Sequence, residues 1–144
     1  MIEKDTVRLL RECDAGVRMG VDSIEEVIDR VDSGEFRSLL SECLREHKVL
    51  EGEIRSQLDS FGDEGKSPNP VALGMSHVKT EMKLVMKDSD KTVADLMTDG
   101  CNMGVKSLNR YLNEYKAASE VSKDITKRLI NLEEKLAVDI RGFL

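Results

Sequence analysis

The chain has 144 residues, which is long enough for one domain to bury about two-thirds of its unfolded surface without disulfides or a structural metal. Charged residues make up 35% of it and aromatic residues only 3%, with no Trp, a balance that favours amphipathic helices over sheets. The formal charge of -6, without any block of basic residues, argues against binding to nucleic acid or to an anionic membrane surface.

The beginning of the chain and its cysteines indicate a cellular compartment. Charged side chains interrupt the first ten residues, where a secretory signal would need an apolar core. No apolar run approaches membrane-spanning length. Cys13, Cys43 and Cys101 are odd in number and widely spaced, which is typical of reduced thiols. We therefore expect a cytoplasmic protein whose cysteines are core residues.

The first third of the chain predicts a helical hairpin. Apolar and small residues recur every three or four positions over residues 10–31, which indicates one long helix. It stops at an Asp-Ser-Gly turn, and Asp32 with Glu35 predicts a capping box for the next helix. The second apolar seam covers residues 36–61. Because the turn is so short, the two helices form an antiparallel hairpin over residues 5–61.

The rest of the chain predicts a crossover and a second hairpin. A loop rich in Gly, Ser and Pro follows the first hairpin, and a narrow apolar stripe over residues 71–85 then predicts a shorter helix. These elements make up a crossover over residues 62–90. Two more helices, separated by a turn near Ala117, form the second hairpin over residues 91–143.

An internal repeat relates the two hairpins. Residues 16–24 match residues 100–108 at an offset of 84, with five identities that include both glycines of a G-x-x-x-G spacing. In the second helix of each hairpin, a less specific match at an offset of 86 aligns His47 with Glu133. We expect one domain, residues 1–144, in which two similar hairpins are joined by a connection that travels the length of the bundle.

In hairpin order, crossover and glycine-marked repeat, the chain resembles ferritin-like proteins. It is more closely similar to small uncharacterised bacterial helical-bundle families related to them. The resemblance implies an all-α, ferritin-like four-helix bundle, with the fifth, shorter helix in the crossover. Di-iron members of this class carry a Glu on the first helix of each hairpin and a Glu-x-x-His on the second, all facing the core.

The di-iron ligand positions implied by this resemblance are mostly apolar. The first-helix positions look to be Val17 and Cys101, and the Glu-x-x-His positions look to be Leu44 with His47 and Ile130 with Glu133. Only two of the six carry a side chain that iron takes readily, because iron pairs need several carboxylates with imidazole. The resemblance therefore implies a degenerate site without the usual two irons.

The aligned His47 and Glu133 leave two alternatives open. They face each other at mid-bundle either as a buried hydrogen-bonded pair, with no metal bound, or as part of an atypical site in which His47, Cys101 and Glu133 hold iron or zinc.

The paired glycines Gly16/Gly20 and Gly100/Gly104 leave two further alternatives open. They allow either close approach of the two repeat helices or room for a ligand between them.

Three functions follow as hypotheses. The first is a non-catalytic module that acts by binding a protein partner or by forming a homo-oligomer, without a cofactor. The second is a metal-binding oxidoreductase or metal-storage protein with the site at His47, Cys101 and Glu133. The third is a thiol-based redox sensor, which requires an exposed thiol of low pKa, whereas all three cysteines lie on predicted apolar seams.

Overall fold

The structure is a computed structural model that describes residues 2–67 and 89–144. This part of the chain is all helical, and it contains no strand. The all-α prediction is therefore confirmed for the described residues. In chain order the elements are α1 (Ile2–Val27), a short 3-10 helix (Ile28–Arg30), α2 (Gly34–Ser60), α3 (Ser89–Glu114), α4 (Glu120–Asp139) and a second 3-10 helix (Arg141–Phe143).

The observed helices follow the apolar periodicities, except that α1 begins eight residues before the predicted seam over residues 10–31 and ends four residues before its end. α3 begins at Ser89, two residues before the predicted start of the second hairpin at 91. The predicted fifth helix, over residues 71–85, lies outside the described residues.

Both hairpin turns end in a serine N-cap. The Ser33 hydroxyl accepts the N–H of Phe36 at 3.2 Å and caps α2, and the Ser119 hydroxyl accepts the N–H of Ser122 at 3.2 Å and caps α4. The prediction that Asp32 caps α2 is wrong. The helix begins one residue later than that capping box requires, so the side chain directly before Gly34 is the one that reaches the free N–H groups.

Hydrogen bonds between the two hairpins fix which helix ends meet. The Asp90 carboxylate, at the start of α3, accepts the N–H groups of Asp32 at 2.7 Å and Ser33 at 2.9 Å. At the other end, the Thr6 hydroxyl near the start of α1 accepts the N–H of Ser119 at 2.8 Å. The start of α3 thus lies beside the α1–α2 turn, and the start of α1 lies beside the α3–α4 turn.

These contacts determine the helix directions. α1 and α4 run one way, and α2 and α3 run the other. α2 therefore ends at the end of the molecule opposite to the one where α3 begins. α1 packs on α2 and α3 on α4 within the hairpins, and α4 also contacts both α1 and α2.

The chain beyond α2 is held on α1 by a buried carboxylate. Asp14 is fully buried, and its Oδ2 accepts the backbone N–H of Lys66 at 2.9 Å and lies 3.3 Å from Arg55 Nη2. Arg18 Nε lies 3.2 Å from Asp14 Oδ1 without the angle of a hydrogen bond. Further along, Ser67 contacts Arg18. Residues 63–67 therefore run along α1 in the direction of α1.

The apolar core forms two clusters, one toward each end of the molecule. One includes Phe36 and Ile140, and the other includes Leu10 and Leu58, all fully buried. Both clusters draw side chains from all four helices. The candidate functional site lies between them.

Candidate functional site

Each helix contributes one residue to a layer between the two apolar clusters. We call Gly20 of α1, His47 of α2, Gly104 of α3 and Glu133 of α4 the central layer. His47 is 1% exposed, and Glu133 is buried as well. The layer separates the two apolar clusters. Cys43 and Leu50, which precede and follow His47 along α2, belong to different clusters.

His47 and Glu133 form a hydrogen-bonded pair across the core. His47 Nε2 lies 2.8 Å from Glu133 Oε1, and His47 Nδ1 lies 2.8 Å from the backbone carbonyl of Cys43. A carbonyl oxygen only accepts, so Nδ1 carries a proton and donates it. The contact with Glu133 then holds one further proton between Nε2 and Oε1. The predicted contact between these two residues is confirmed.

The pair changes the titration of the histidine. Burial alone disfavours the charged imidazolium, but the hydrogen bonds to Cys43 and Glu133 and the charge of Glu133 outweigh it and raise the pKa of His47 to about 10. Each neighbouring helix places one residue near the imidazole of His47 or its partner. Glu133 of α4 bonds to the imidazole, Cys101 of α3 lies beside Glu133, and α1 contributes the uncharged Gly20. The imidazole is therefore protonated at neutral pH.

Gly20 makes room for the imidazole of His47, whereas Gly104 lies beside Glu133 with space for a side chain. A Cβ on Gly20 would lie 2.7 Å from His47 Cδ2 and 2.8 Å from Nε2, closer than non-bonded atoms approach. A Cβ on Gly104 would lie 3.6 Å from Glu133 Oε2, an ordinary contact. The sequence predicted either close approach of the repeat helices or room for a ligand at these glycines. Neither describes Gly20, because the imidazole of His47 fills the space beside it.

The other two glycines of the predicted pairs have looser surroundings. A Cβ on Gly16 would meet only Leu129 and Leu108, at 3.9 and 4.0 Å, and a Cβ on Gly100 would meet nothing within 4 Å. Of the four glycines in the predicted pairs, Gly20 is therefore the one without space for a side chain.

All three cysteines are buried free thiols, as the seams predict, but their surroundings differ. Cys101 lies beside Glu133, and burial followed by that charge raises the pKa of its thiol. Cys13 contacts the Thr126 hydroxyl at 3.1 Å, and burial raises its pKa to about 12. Cys43 instead lies 3.4 Å from His47 Nδ1. Sequence reasoning missed this contact, although a spacing of four places the two side chains on one helix face.

The donor set does not fit a di-iron centre. Of the six ligand positions implied by the resemblance, Val17, Leu44 and Ile130 have hydrocarbon side chains, and only His47 and Glu133 offer imidazole or carboxylate. Among residues 2–67 and 89–144, no group of three or more His, Cys, Asp or Glu side chains is arranged to hold a metal ion. His47, Cys101 and Glu133 do lie together, yet both ring nitrogens of His47 already bond to protein atoms.

A groove between α2 and α4 opens beside this site. It has a volume of about 200 Å³, and its lining includes Cys43, whose sulfur contacts His47 of the central layer. The apolar part of the lining consists of Leu39, Leu132 and Leu136. We call this feature the α2–α4 groove.

Comparison of the chain with profiles of protein families, with curated proteins and with solved structures finds no match. Of the helices that the structure describes, none combines the length and the hydropathy needed to cross a membrane.

Proposed function

We propose that this chain is a ferritin-like four-helix bundle that acts by binding or self-association, in which a hydrogen-bonded His–Glu pair takes the position of the usual metal centre. The observation that carries this proposal is the contact between His47 and Glu133. Both ring nitrogens of His47 have partners inside the protein, so the pair is satisfied without a ligand. The proposed location is the cytoplasm, which the unpaired thiols support.

The helix directions support the ferritin-like architecture. α2 and α3 run parallel, so the chain between them has to connect opposite ends of the molecule. Bundles with one long crossover have this order, whereas an up-down-up-down bundle needs only a short loop at that point.

Equivalent contacts in the two hairpins support an internal duplication. Position 33 corresponds to 119 at the offset of 86, and position 6 corresponds to 90 at the offset of 84. The N–H of Ser33 donates to Asp90, and the N–H of Ser119 donates to Thr6. The central layer follows the same relation, because Gly20 borders His47 and Gly104 borders Glu133. We propose that a duplicated hairpin gave rise to the pair.

Metal analysis tests the proposal. Protein purified without chelator or affinity metal is analysed for iron and zinc beside His47→Ala and the milder Cys101→Ser. We expect far less than one metal ion per chain in all three. About one ion per wild-type chain, lost in both variants, would contradict the proposal.

That opposite outcome would support the second candidate, a metal-binding oxidoreductase or storage protein using His47, Cys101 and Glu133. The proximity of Cys101 to Glu133 is the observation that favours it. His, Cys and carboxylate are all ligands that zinc accepts. Iron or zinc would then have to displace the hydrogen bond between His47 and Glu133.

Self-association is tested separately by sedimentation velocity over a wide range of protein concentration. A homo-oligomerising module gives a sedimentation coefficient that rises with concentration. A strict monomer at every concentration would contradict self-association and leave binding of another molecule as the proposed activity.

A further inference from the structure

Cys43 differs from the other two cysteines in its access to the outside. It is 7% exposed and contributes to the lining of the α2–α4 groove, whereas Cys13 and Cys101 are 0% and 1% exposed and do not line it. Thiol reactivity requires access and an environment that stabilises the thiolate. Cys43 is therefore the cysteine to test against both requirements.

The contact with His47 gives Cys43 a neighbour that can carry positive charge. The sulfur of Cys43 lies 3.4 Å from His47 Nδ1, and on the far side of the ring Nε2 bonds to Glu133 Oε1 at 2.8 Å. Cysteine, imidazole and carboxylate thus form a continuous chain from the groove to the central layer. The N–H at Nδ1 donates to the Cys43 carbonyl, so the imidazole acts on the sulfur through its positive charge rather than through a hydrogen bond, and the carboxylate holds the ring in position.

The groove limits what reaches this thiol. Its volume of about 200 Å³ is smaller than the pockets of about 300 to 1,000 Å³ that hold drug-sized ligands, so only a small molecule fits. Among the described residues, the carboxylates that line the groove outnumber the cations paired with them, which are Arg45 beside Glu42 and Lys135 beside Asp139. The carboxylates of the lining are Glu35, Glu42, Glu46 and Asp139. This excess of negative charge favours a cation.

We propose that Cys43 is a reactive thiol that exchanges with small, positively charged disulfides entering through the α2–α4 groove, and that His47 is its positioning residue. The step is thiol–disulfide exchange. The Cys43 sulfur attacks one sulfur of the reagent, the reagent S–S bond breaks, and a mixed disulfide forms at Cys43. The departing thiolate takes up the proton that Cys43 loses, so the disulfide itself is the only oxidant.

Three disulfides of matched size and different charge test this site. They are cystamine (cationic), bis(2-hydroxyethyl) disulfide (neutral) and dithiodiglycolate (anionic). Mass spectrometry of the intact protein and of its peptides gives the rate at each cysteine. Each rate is divided by the rate at the same cysteine in urea-unfolded protein, which removes the intrinsic reactivity of the reagent.

We expect a single adduct at Cys43 in the folded protein, absent in Cys43→Ala, with cystamine about tenfold faster than dithiodiglycolate after this correction. Glu46→Gln, which removes one negative charge from the groove, lowers the ratio of the cystamine rate to the dithiodiglycolate rate. Glu51→Gln removes one charge from the same helix outside the groove lining and leaves it unchanged. Equal rates at all three cysteines would overturn the site, and equal rates for the three reagents would overturn its preference for cations.

The role of His47 has its own readout. In His47→Gln, the pH profile of Cys43 modification moves to higher pH, because Gln offers no positive charge to the thiolate. Circular dichroism first establishes that the variant is folded. If the profile keeps its midpoint while the rate rises at every cysteine, the substitution has only loosened the fold, and the assignment of His47 is wrong.

Discussion

The imidazole of His47 occupies the space that a side chain at position 20 would fill, with its Cδ2 only 2.7 Å from the place of a Cβ on Gly20. Two hydrogen bonds hold the ring, so it cannot turn away without leaving Glu133 or its own Nδ1–H without a partner. A glycine in the middle of one helix thereby permits a polar pair between two others.

Gly20→Ala should therefore destabilise the protein, although alanine is the better helix former by about 1 kcal/mol. We expect a net loss of about 2 kcal/mol in the free energy of unfolding, because the ring must shift in a packed core. Chemical denaturation measures this change. Gly100→Ala is the matched control, since its Cβ meets nothing within 4 Å, and it should be neutral or stabilising. Equal stability of the two variants would show that the ring moves at no cost.

The stability of the protein should fall as the pH rises above neutrality. The pKa of His47 is raised to about 10 in the folded protein, from an ordinary value of 6.5, so unfolding releases a proton between these values. The stabilisation is complete below about pH 6.5 and is lost progressively toward pH 10. From pH 6.5 to 7.5, below the ordinary pKa of the cysteines that unfolding exposes, we expect a loss of about 1 kcal/mol.

Urea denaturation of the wild type and of His47→Gln across that window checks this pH dependence. Gln does not titrate, so the variant should show a nearly flat profile. Linkage counts the protons bound by the whole pair, so the slope in the wild type is the same whether Nε2 or Oε1 holds the shared proton. Parallel slopes in the two proteins would exclude His47 as the source.

Gly65→Ala should loosen the segment that follows α2. Gly65 has φ of +87°, and a Cβ there would overlap Asp14 Oδ2, which holds the backbone of Lys66. We expect a loss of about 3 kcal/mol from backbone strain and the displaced carboxylate together. Gly62→Ala separates the two causes. Gly62 has a φ of +67° but open space around it, so this substitution should lower the free energy of unfolding by only about 1 kcal/mol. Thermal or chemical unfolding of both variants gives the comparison.

Asp90→Ala should weaken the contact between the hairpins. Its carboxylate accepts two backbone N–H groups of the first turn, and their loss should cost about 2 kcal/mol in the free energy of unfolding. Asp99→Ala, at an exposed position of the same helix, changes the net charge equally and should stay within about 0.5 kcal/mol of the wild type. Amide exchange at Asp32 and Ser33 should accelerate only in the Asp90 variant.

Much of this fold is predictable from the sequence because helix formation is local. Apolar spacing predicted all four described helices, although α1 begins at Ile2, eight residues before its predicted seam, and the turns near Gly34 and Ala117 marked where the second helix of each hairpin begins. The contact between His47 and Glu133 also followed from the sequence, since the offset of 86 placed both on equivalent core faces. The N-cap of α2 did not, because two adjacent residues, Asp32 and Ser33, are both good caps.

The tertiary structure alone decided how these faces meet. The ring beside Gly20, the Asp14 carboxylate under residues 63–67 and the caps that Thr6 and Asp90 provide for the opposite hairpin all join helices distant in sequence. Periodicity specifies which side of a helix is buried. The axial register and rotation between helices depend on how whole side-chain surfaces interlock, and they decide that Cys43, and neither of the other two cysteines, lines the α2–α4 groove.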